Sequence, residues 1–281
     1  MLMDGKATAL SLEESLKIEV SRLINQYGRA PKLVVLLVGN NPASVSYVKS
    51  KEKACKRVGI NGVTLRLTED VSEEKLLEII DDLNMDDGVD GMIVQLPLPK
   101  QIDCDKVLNQ IDSKKDVDGL SLLNAGKLSN RHKGLLPATP KGIMMLLEQY
   151  QIELKGIHAV VVGASNLVGS PMAKLLINHH ATVTVCHIHT KDLKSFTLQA
   201  DLLVVATGVK HLITGDMVKQ GAIVVDVGIN KIEGRIYGDV DFESVAPKAS
   251  FITPVPGGVG PMTISALIHN VVEAFKEDHH D

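Results

Sequence analysis

The 281-residue chain is 44% hydrophobic and 23% charged, with a formal net charge of −4, a composition expected of a soluble globular protein with room for about two domains. It lacks a basic excess to hold nucleic acid, has only 3% aromatic residues and no Trp for base stacking, and contains no apolar run near the roughly 18 residues of a membrane span. "MLMDGKATALS" turns polar within a few residues, so a cytoplasmic chain is expected. Cys55, Cys104 and Cys186 are odd in number, far apart and without a CxxC, which supports neither a disulfide framework nor a zinc site.

In chain order, Leu12, Leu16, Val20 and Leu23 recur at helical spacing, and the helix they predict stops at Gly28. "KLVVLLVG" follows as a continuous apolar run of the buried-strand type. The segment from Ser46 to Gly59, "SYVKSKEKACKRVG", is a second helix with an uneven distribution of basic side chains. At roughly 100° per residue, Lys49, Lys53, Lys56 and Arg57 fall on one side, an ordinary solvated face. Lys51 projects instead with Ser44, Val48, Cys55 and Val58, and Tyr47 lies one turn before it. A lysine snorkelling past Val48 would give this pattern. So would a desolvated lysine whose pKa has been brought down into an acid/base range.

"VTLRLTE" then reads as a strand, Ser72 as the cap of a helix to about Asn84, and "VDGMIVQLPLP" as a strand stopped by Pro97 and Pro99. This alternation predicts a largely parallel sheet covered on both faces. Gln95 stands at the carboxyl end of its strand, where ligands collect, and Asp116 and Asp118 lie in the loop "KKDVDGL". Singly, Gln95 could hold a loop and Asp118-Gly119 could make a turn; together they suggest a pocket.

Thr139-Pro140 predicts a helix start, a cap followed by Pro at the first helical position, opening "KGIMMLLEQY". A second α/β series follows, with strands "IHAVVVGAS", "ATVTVCH", "DLLVVATG" and "AIVVDVGIN", a short hairpin in "KIEGRIYGDV", and "SFITPVP" running into the turn "GGVGP". An amphipathic helix with Leu267, Val271, Val272 and Phe275 precedes the polar tail "EDHHD". In "TPVPGGVGPMT" the glycines and prolines make a stiff turn with accessible backbone N–H groups, unless it is simply the connection into the last helix.

In "HAVVVGASNLVGSPMAKLL" a buried strand reaches Gly163, turns, and enters a helix near Val168, the geometry that presents backbone N–H groups to a pyrophosphate. The spacing, Gly163-x-Ser165-x-x-x-Gly169, departs from G-x-G-x-x-G, and a tight structural turn is the alternative. An NAD site usually puts Asp or Glu at the end of the second strand. Here "VCHIHTKD" has no carboxylate before Asp192, and His187, His189 and Lys191 lean towards a 2′-phosphate and NADP, unless these polar groups merely start the next helix. No Cys, His or Glu set accompanies His187 and His189, or His179 and His180, so no metal is expected. Tyr47-x-x-x-Lys51 matches the pair of short-chain dehydrogenases, but those enzymes place the glycine loop before the pair and this chain places it after.

Taken in order, "YVKSKEKAC", "VQLPLP", "DVDGL", "PATPKG", "GASNLVGSPMA" and "TPVPGGVGPMT" resemble the bifunctional methylenetetrahydrofolate dehydrogenase/methenyltetrahydrofolate cyclohydrolase family over essentially the whole chain. The resemblance implies an α/β fold of two domains with a cleft between them: a catalytic, folate-binding domain of residues 1–138 plus 262–281, and a Rossmann-type NAD(P)-binding domain of residues 139–261. It implies catalytic Lys51, with Tyr47 beside the folate, Gln95 tuning the lysine and Asp118 binding the pterin. Folate contacts extend to Ser44, Leu96, Pro97, Pro256, Gly257, Gly258 and Pro261, and cofactor contacts fall on Gly163, Ala164, Ser165, His187, Ile188, Ile229 and Thr139. NADP is the implied cofactor, with NAD possible because Ile188 stands where many members have Arg. Ala138 stands where Cys is usual. A cytoplasmic homodimer is implied, and the rivals are a Rossmann dehydrogenase of another small substrate and a non-catalytic folate- or nucleotide-binding regulator.

Overall fold

The computed structural model describes residues 1–279, so the end of the polar tail, His280 and Asp281, lies outside the described residues. The elements are α1 (Gly5–Tyr27), β1 (Lys32–Val38), α2 (Pro42–Val58), β2 (Asn61–Leu67), α3 (Glu73–Met85), β3 (Gly91–Val94), α4 (Cys104–Gln110), α5 (Leu122–Ser129), α6 (Ala138–Gln149), β4 (His158–Val162), α7 (Gly169–Asn178), β5 (Thr182–Cys186), α8 (Leu193–Thr197), β6 (Leu202–Val205), β7 (Ile223–Asp226), β8 (Asn230–Ile232), β9 (Arg235–Tyr237), α9 (Phe242–Val245), β10 (Phe251–Ile252) and α10 (Val259–Asp278). Two compact units result: Leu10–Ala138 with the segment from Ile264, and Met1–Ala9 with Thr139–Thr263.

The first unit is built on a parallel sheet ordered β2-β1-β3, with Lys32 opposite Asn61 and Leu33 opposite Gly91. Successive side chains of β1 point to opposite faces, and both faces are covered. Leu33, Val35 and Leu37 pack with Leu16, Val20 and Leu23 of α1 and Leu267, Val271 and Phe275 of α10. Val34, Leu36 and Val38 pack with Leu76 and Ile80 of α3 on the other side. That two-sided burial is why β1 reads as an unbroken apolar run.

In the second unit five parallel strands are ordered β10-β7-β6-β4-β5, with Val160, Val162, Leu203, Val205 and Val224 in its core. The predicted hairpin is β8–β9, and Glu233 and Gly234 between its strands both have positive φ, 48° and 79°, as a tight hairpin turn requires. Residues Met1–Ala9 belong to this unit, whereas the division read from the sequence began the other domain at residue 1. Met3 N–H donates to Ile252 O at 2.8 Å, Ile252 N–H to Met1 O at 3.0 Å and Lys6 N–H to Gly257 O at 2.9 Å.

Two helix starts differ from the expected ones. Helix α6 begins at Ala138, so Thr139 lies inside the first turn instead of capping it; its hydroxyl accepts from Thr263 Oγ1 at 3.0 Å. Helix α10 begins at Val259, placing Gly260 and Pro261 in its first turn, where the missing proline N–H would have no intrahelical partner anyway. The short helices α4 and α5, capped by Asp103 and Ser121, have no counterpart in the sequence reading because seven and eight residues show too little 3.6-residue periodicity.

Candidate active site

Helix α2 starts because Asn41 Oδ1 accepts from the N–H groups of Ala43 and Ser44 at 3.0 and 3.2 Å, with Pro42 in the first turn, and it ends at Gly59 in the left-handed conformation. Its buried face is Ser44, Val48, Lys51, Ala54, Cys55 and Val58; Lys49, Lys53, Lys56 and Arg57 are exposed. Lys51 is therefore set apart as its spacing predicts, with only 8% of its surface exposed.

The Lys51 amine donates to Gln95 Oε1 at 3.0 Å. Gln95 directly follows β3 and is held there by its N–H to Leu36 O at 2.9 Å. Its amide orientation is fixed because Nε2 donates to Leu96 O at 2.8 Å, a carbonyl that also accepts from Ser44 Oγ at 3.3 Å. The peptide between Leu96 and Pro97 is cis. Burial pushes the Lys51 pKa down, with the negative charge of Asp118 pulling the other way. Burial also lifts the neighbouring Cys55 thiol to about 12, so it is neutral and not a nucleophile. Tyr47, partly exposed, has its pKa raised by desolvation.

Asp116 and Asp118, paired in the sequence reading, have separate tasks. Asp116 is buried and structural: it accepts from Leu120 N–H at 3.2 Å, Ser121 N–H at 2.8 Å and Asn124 Nδ2 at 3.0 Å. The Asp118 carboxyl is partly buried and accepts no hydrogen bond among the described residues, and burial raises its pKa while Lys51 lowers it. Its backbone is rigidly placed. Gly119 has φ +69° and lies where a Cβ would collide with the Leu136 backbone. Asn270 of α10 donates from Nδ2 to both Val117 O and Leu136 O at 2.8 Å. Sequence reasoning missed Asn270, although a polar residue three after Leu267 and four before Ala274 was a signal.

In the other unit β4 leads into Gly163, φ +117°, where a Cβ would collide with the Ala206 carbonyl, and a Cβ at Gly169 would collide with the Gly163 carbonyl. Ala164 to Leu167 are exposed. Ser165 Oγ accepts from Val168 N–H at 3.2 Å, which leaves its O–H free to donate, and the N–H groups of Ser165, Asn166 and Leu167 meet no acceptor among the described residues. Beyond β5, His187 and Thr190 close a turn by reciprocal bonds at 2.8 Å, with Ile188 94% exposed at its tip. No carboxylate stands in this turn to hold a free ribose 2′-OH. His187, His189 and Lys191, all exposed in or beside this turn, are the groups available to a 2′-phosphate. Ile229 is exposed in the loop after β7. Pro256, Gly257 and Gly258 precede α10 in this unit, with Gly257 at φ +107°.

A parallel sheet carrying a glycine loop at the strand-order switch, in one chain with a unit that desolvates a lysine near an unpartnered carboxyl, is the arrangement of a dinucleotide-dependent enzyme. Residues 3–118 match the family model described as tetrahydrofolate dehydrogenase/cyclohydrolase, catalytic domain, and residues 137–279 match that family's NAD(P)-binding domain. The chain belongs to the tetrahydrofolate dehydrogenase/cyclohydrolase family. It is 54% identical to the bifunctional protein FolD of Wolinella succinogenes over 98% of this chain and 96% of that protein. The solved FolD methylenetetrahydrofolate dehydrogenase/cyclohydrolase of Campylobacter jejuni superposes with a TM-score of 0.96 at 52% identity, covering 99% of each chain. That of Trypanosoma brucei, complexed with NADP cofactor and inhibitor, gives 0.96 at 36% identity over 100% of this chain and 99% of its own.

Proposed function

We propose that this protein is a bifunctional one-carbon folate enzyme. It oxidises 5,10-methylenetetrahydrofolate to 5,10-methenyltetrahydrofolate with NADP and hydrolyses that product to 10-formyltetrahydrofolate. Family membership across both units supports the pair of reactions. The single observation that carries the hydrolytic step is a buried amine, Lys51, hydrogen-bonded to a neutral amide.

NADP, when bound, accepts the hydride that leaves the one-carbon bridge of the substrate. The glycine loop at Gly163, Ala164 and Ser165 offers N–H groups to its pyrophosphate; His187, Ile188, Ile229 and Thr139 complete the contacts assigned to it. In the second reaction water adds to the one-carbon centre of the methenyl cation. Lys51 Nζ, kept towards neutrality by burial, takes a proton from that water and delivers it to the ring nitrogen, whose bond to the one-carbon centre breaks as the remaining hydroxyl proton leaves to solvent and the formyl carbonyl forms. Gln95 Oε1 fixes the direction of Nζ. Asp118, with no protein donor to satisfy it, accepts the N–H edge of the pterin. Tyr47, Ser44, Leu96 and Pro97 shape the folate site from α2 and the loop after β3, and Pro256, Gly257, Gly258 and Pro261 are proposed as further folate contacts.

The test is a steady-state assay with 5,10-methylenetetrahydrofolate, comparing NADP with NAD and quantifying reduced cofactor, methenyl- and 10-formyltetrahydrofolate. Lys51→Met is expected to lower hydrolysis by roughly 10²–10⁴-fold with the NADP Kd unchanged; undiminished 10-formyl production in that variant removes the role. Absence of turnover with either cofactor, from folded protein, favours a non-catalytic binding protein. A homodimer and a cytoplasmic address are part of this reading, on the family resemblance; analytical ultracentrifugation and cell fractionation check them. Among the described residues no helix is long and apolar enough to cross a membrane.

A further inference from the structure

The turns after β6 and β7 are held by two buried carboxylates for which the reactions above have no use. Asp239, 0% exposed, follows β9. Its Oδ2 accepts from Thr207 N–H at 2.6 Å, the Thr207 hydroxyl at 2.9 Å and Gly208 N–H at 2.9 Å, and its Oδ1 accepts from Asn230 Nδ2 at 2.9 Å. Asp226, the last residue of β7 and 3% exposed, accepts from Gly228 N–H at 3.0 Å and from the N–H groups of Asp239 and Val240 at 2.9 Å each. Among the described residues neither makes an ion pair. Burying carboxylates without a cation is costly, and hydrogen bonds must offset it. Five of those seven bonds are donated by backbone N–H groups, the other two by the Thr207 hydroxyl and Asn230 Nδ2.

The place of these loops explains their rigidity. In the order β10-β7-β6-β4-β5 the chain runs from β4 out to β5 and returns to β6 on the other side of β4. The crevice at the carboxyl ends therefore opens between β4 and β6. One wall is the glycine loop; the other begins at Ala206, whose carbonyl is so close to Gly163 that a Cβ there would collide with it. The end of the second strand, β5, meets the adenosine ribose in this architecture, which leaves the other mononucleotide over β6 and β7. Two further glycines keep the carboxylates in reach of their donors: a Cβ at Gly228 would collide with the Asp239 carboxylate, and one at Gly238 with that of Asp226.

We propose that Asp239, backed by Asp226, is a positioning residue for the nicotinamide half of the bound dinucleotide, locking the Thr207-Gly208 turn and the Val227–Ile229 turn into one wall. The inference rests on the NADP reading above and adds to it the residues that set the shape of one subsite. The Thr207 hydroxyl is the sensitive joint, because it donates to Asp239 and accepts from Val209 N–H at 3.3 Å.

Isothermal titration of the full-length protein with NADP, and separately with 2′,5′-ADP, tests this without any turnover. Thr207→Val is expected to raise the NADP Kd roughly 10-fold, as for a lost hydrogen bond to a charged group, while the 2′,5′-ADP Kd stays within about twofold. Thr207→Ser, which keeps the hydroxyl, is expected to restore NADP binding, and Asp239→Asn to weaken NADP at least as much as Thr207→Val. An unchanged NADP Kd in both Thr207→Val and Asp239→Asn overturns the proposal. So does equal weakening of 2′,5′-ADP, which would mean that the carboxylates only hold the unit together. Wild-type protein that binds neither ligand overturns the NADP reading itself, a failure distinguishable from the other two.

Discussion

Lys51 and Asp118 are both displaced by burial, in opposite directions: the amine is pushed below its ordinary 10.5 and the carboxyl above its ordinary 3.8. Each partly restrains the other by its charge. The hydrolytic rate is therefore expected to climb with pH as Lys51 loses its proton, along a limb centred below the ordinary lysine value. Asp118→Asn removes the charge that favours the ammonium form, so this limb should move to lower pH; a pH–rate profile of methenyltetrahydrofolate hydrolysis that does not move would mean that the two groups are uncoupled. Asp226 gives a different dependence. Burial raises it from 3.8 to about 6 against the pull of its three backbone donors. Between these values the folded state holds a proton that the unfolded state has lost, so stability falls as pH rises through the window, by about 3 kcal/mol at most. Urea denaturation is expected to show the stability of wild type rising relative to that of Asp226→Asn from pH 8 to pH 5, and a constant difference would contradict it.

At the level of elements, the Lys51 centre is a junction of α2, the end of β3 and the loop after Lys115, and α10 fastens that loop through Asn270. Asn270→Ala leaves the buried carbonyl of Val117 and the half-buried carbonyl of Leu136 without their donor, at a cost of about 1–3 kcal/mol for the first and less for the second. Denaturation should register that loss, and the folate KM should rise while the NADP Kd holds; a KM equal to wild type would show that Asp118 needs no such anchor. The sequence exposed α2 and Lys51 because one lysine out of phase with four others is a local, periodic signal. It exposed β1, β4 and β6 because strands buried on both faces are continuously apolar. Asn270 and Asp239, and the structural role of Asp116, were hidden for the opposite reason. Each acts on residues distant in the chain or on turns whose carbonyls and N–H groups leave no trace in residue type. Thr139 misled because a Thr-Pro pair signals a cap locally, whereas the helix here begins at Ala138, two residues before the expected Pro140.

Across the whole molecule the residues assigned to proton transfer and those assigned to the dinucleotide fall in separate units of one chain, so single substitutions should divide the activities. Gly163 is the sharpest place to try this from the dinucleotide side. Its φ of +117° is strained for any side chain, and a Cβ there would strike the Ala206 carbonyl, displacing one wall or the other of the crevice at β4 and β6. Gly163→Ala is expected to raise the NADP Kd by an order of magnitude or more, roughly the cost of a strained backbone position. Hydrolysis of methenyltetrahydrofolate supplied without cofactor should stay within about twofold of wild type, since Lys51 and Gln95 hydrogen-bond to each other and both lie, with Asp118, in the other unit. Lys51→Met should give the mirror image, NADP binding intact and hydrolysis lost. If Gly163→Ala instead abolishes cofactor-free hydrolysis in protein whose circular dichroism and melting curve remain native, the two chemistries are not separable by unit. The proton-transfer centre would then have to depend on the dinucleotide loops for its geometry.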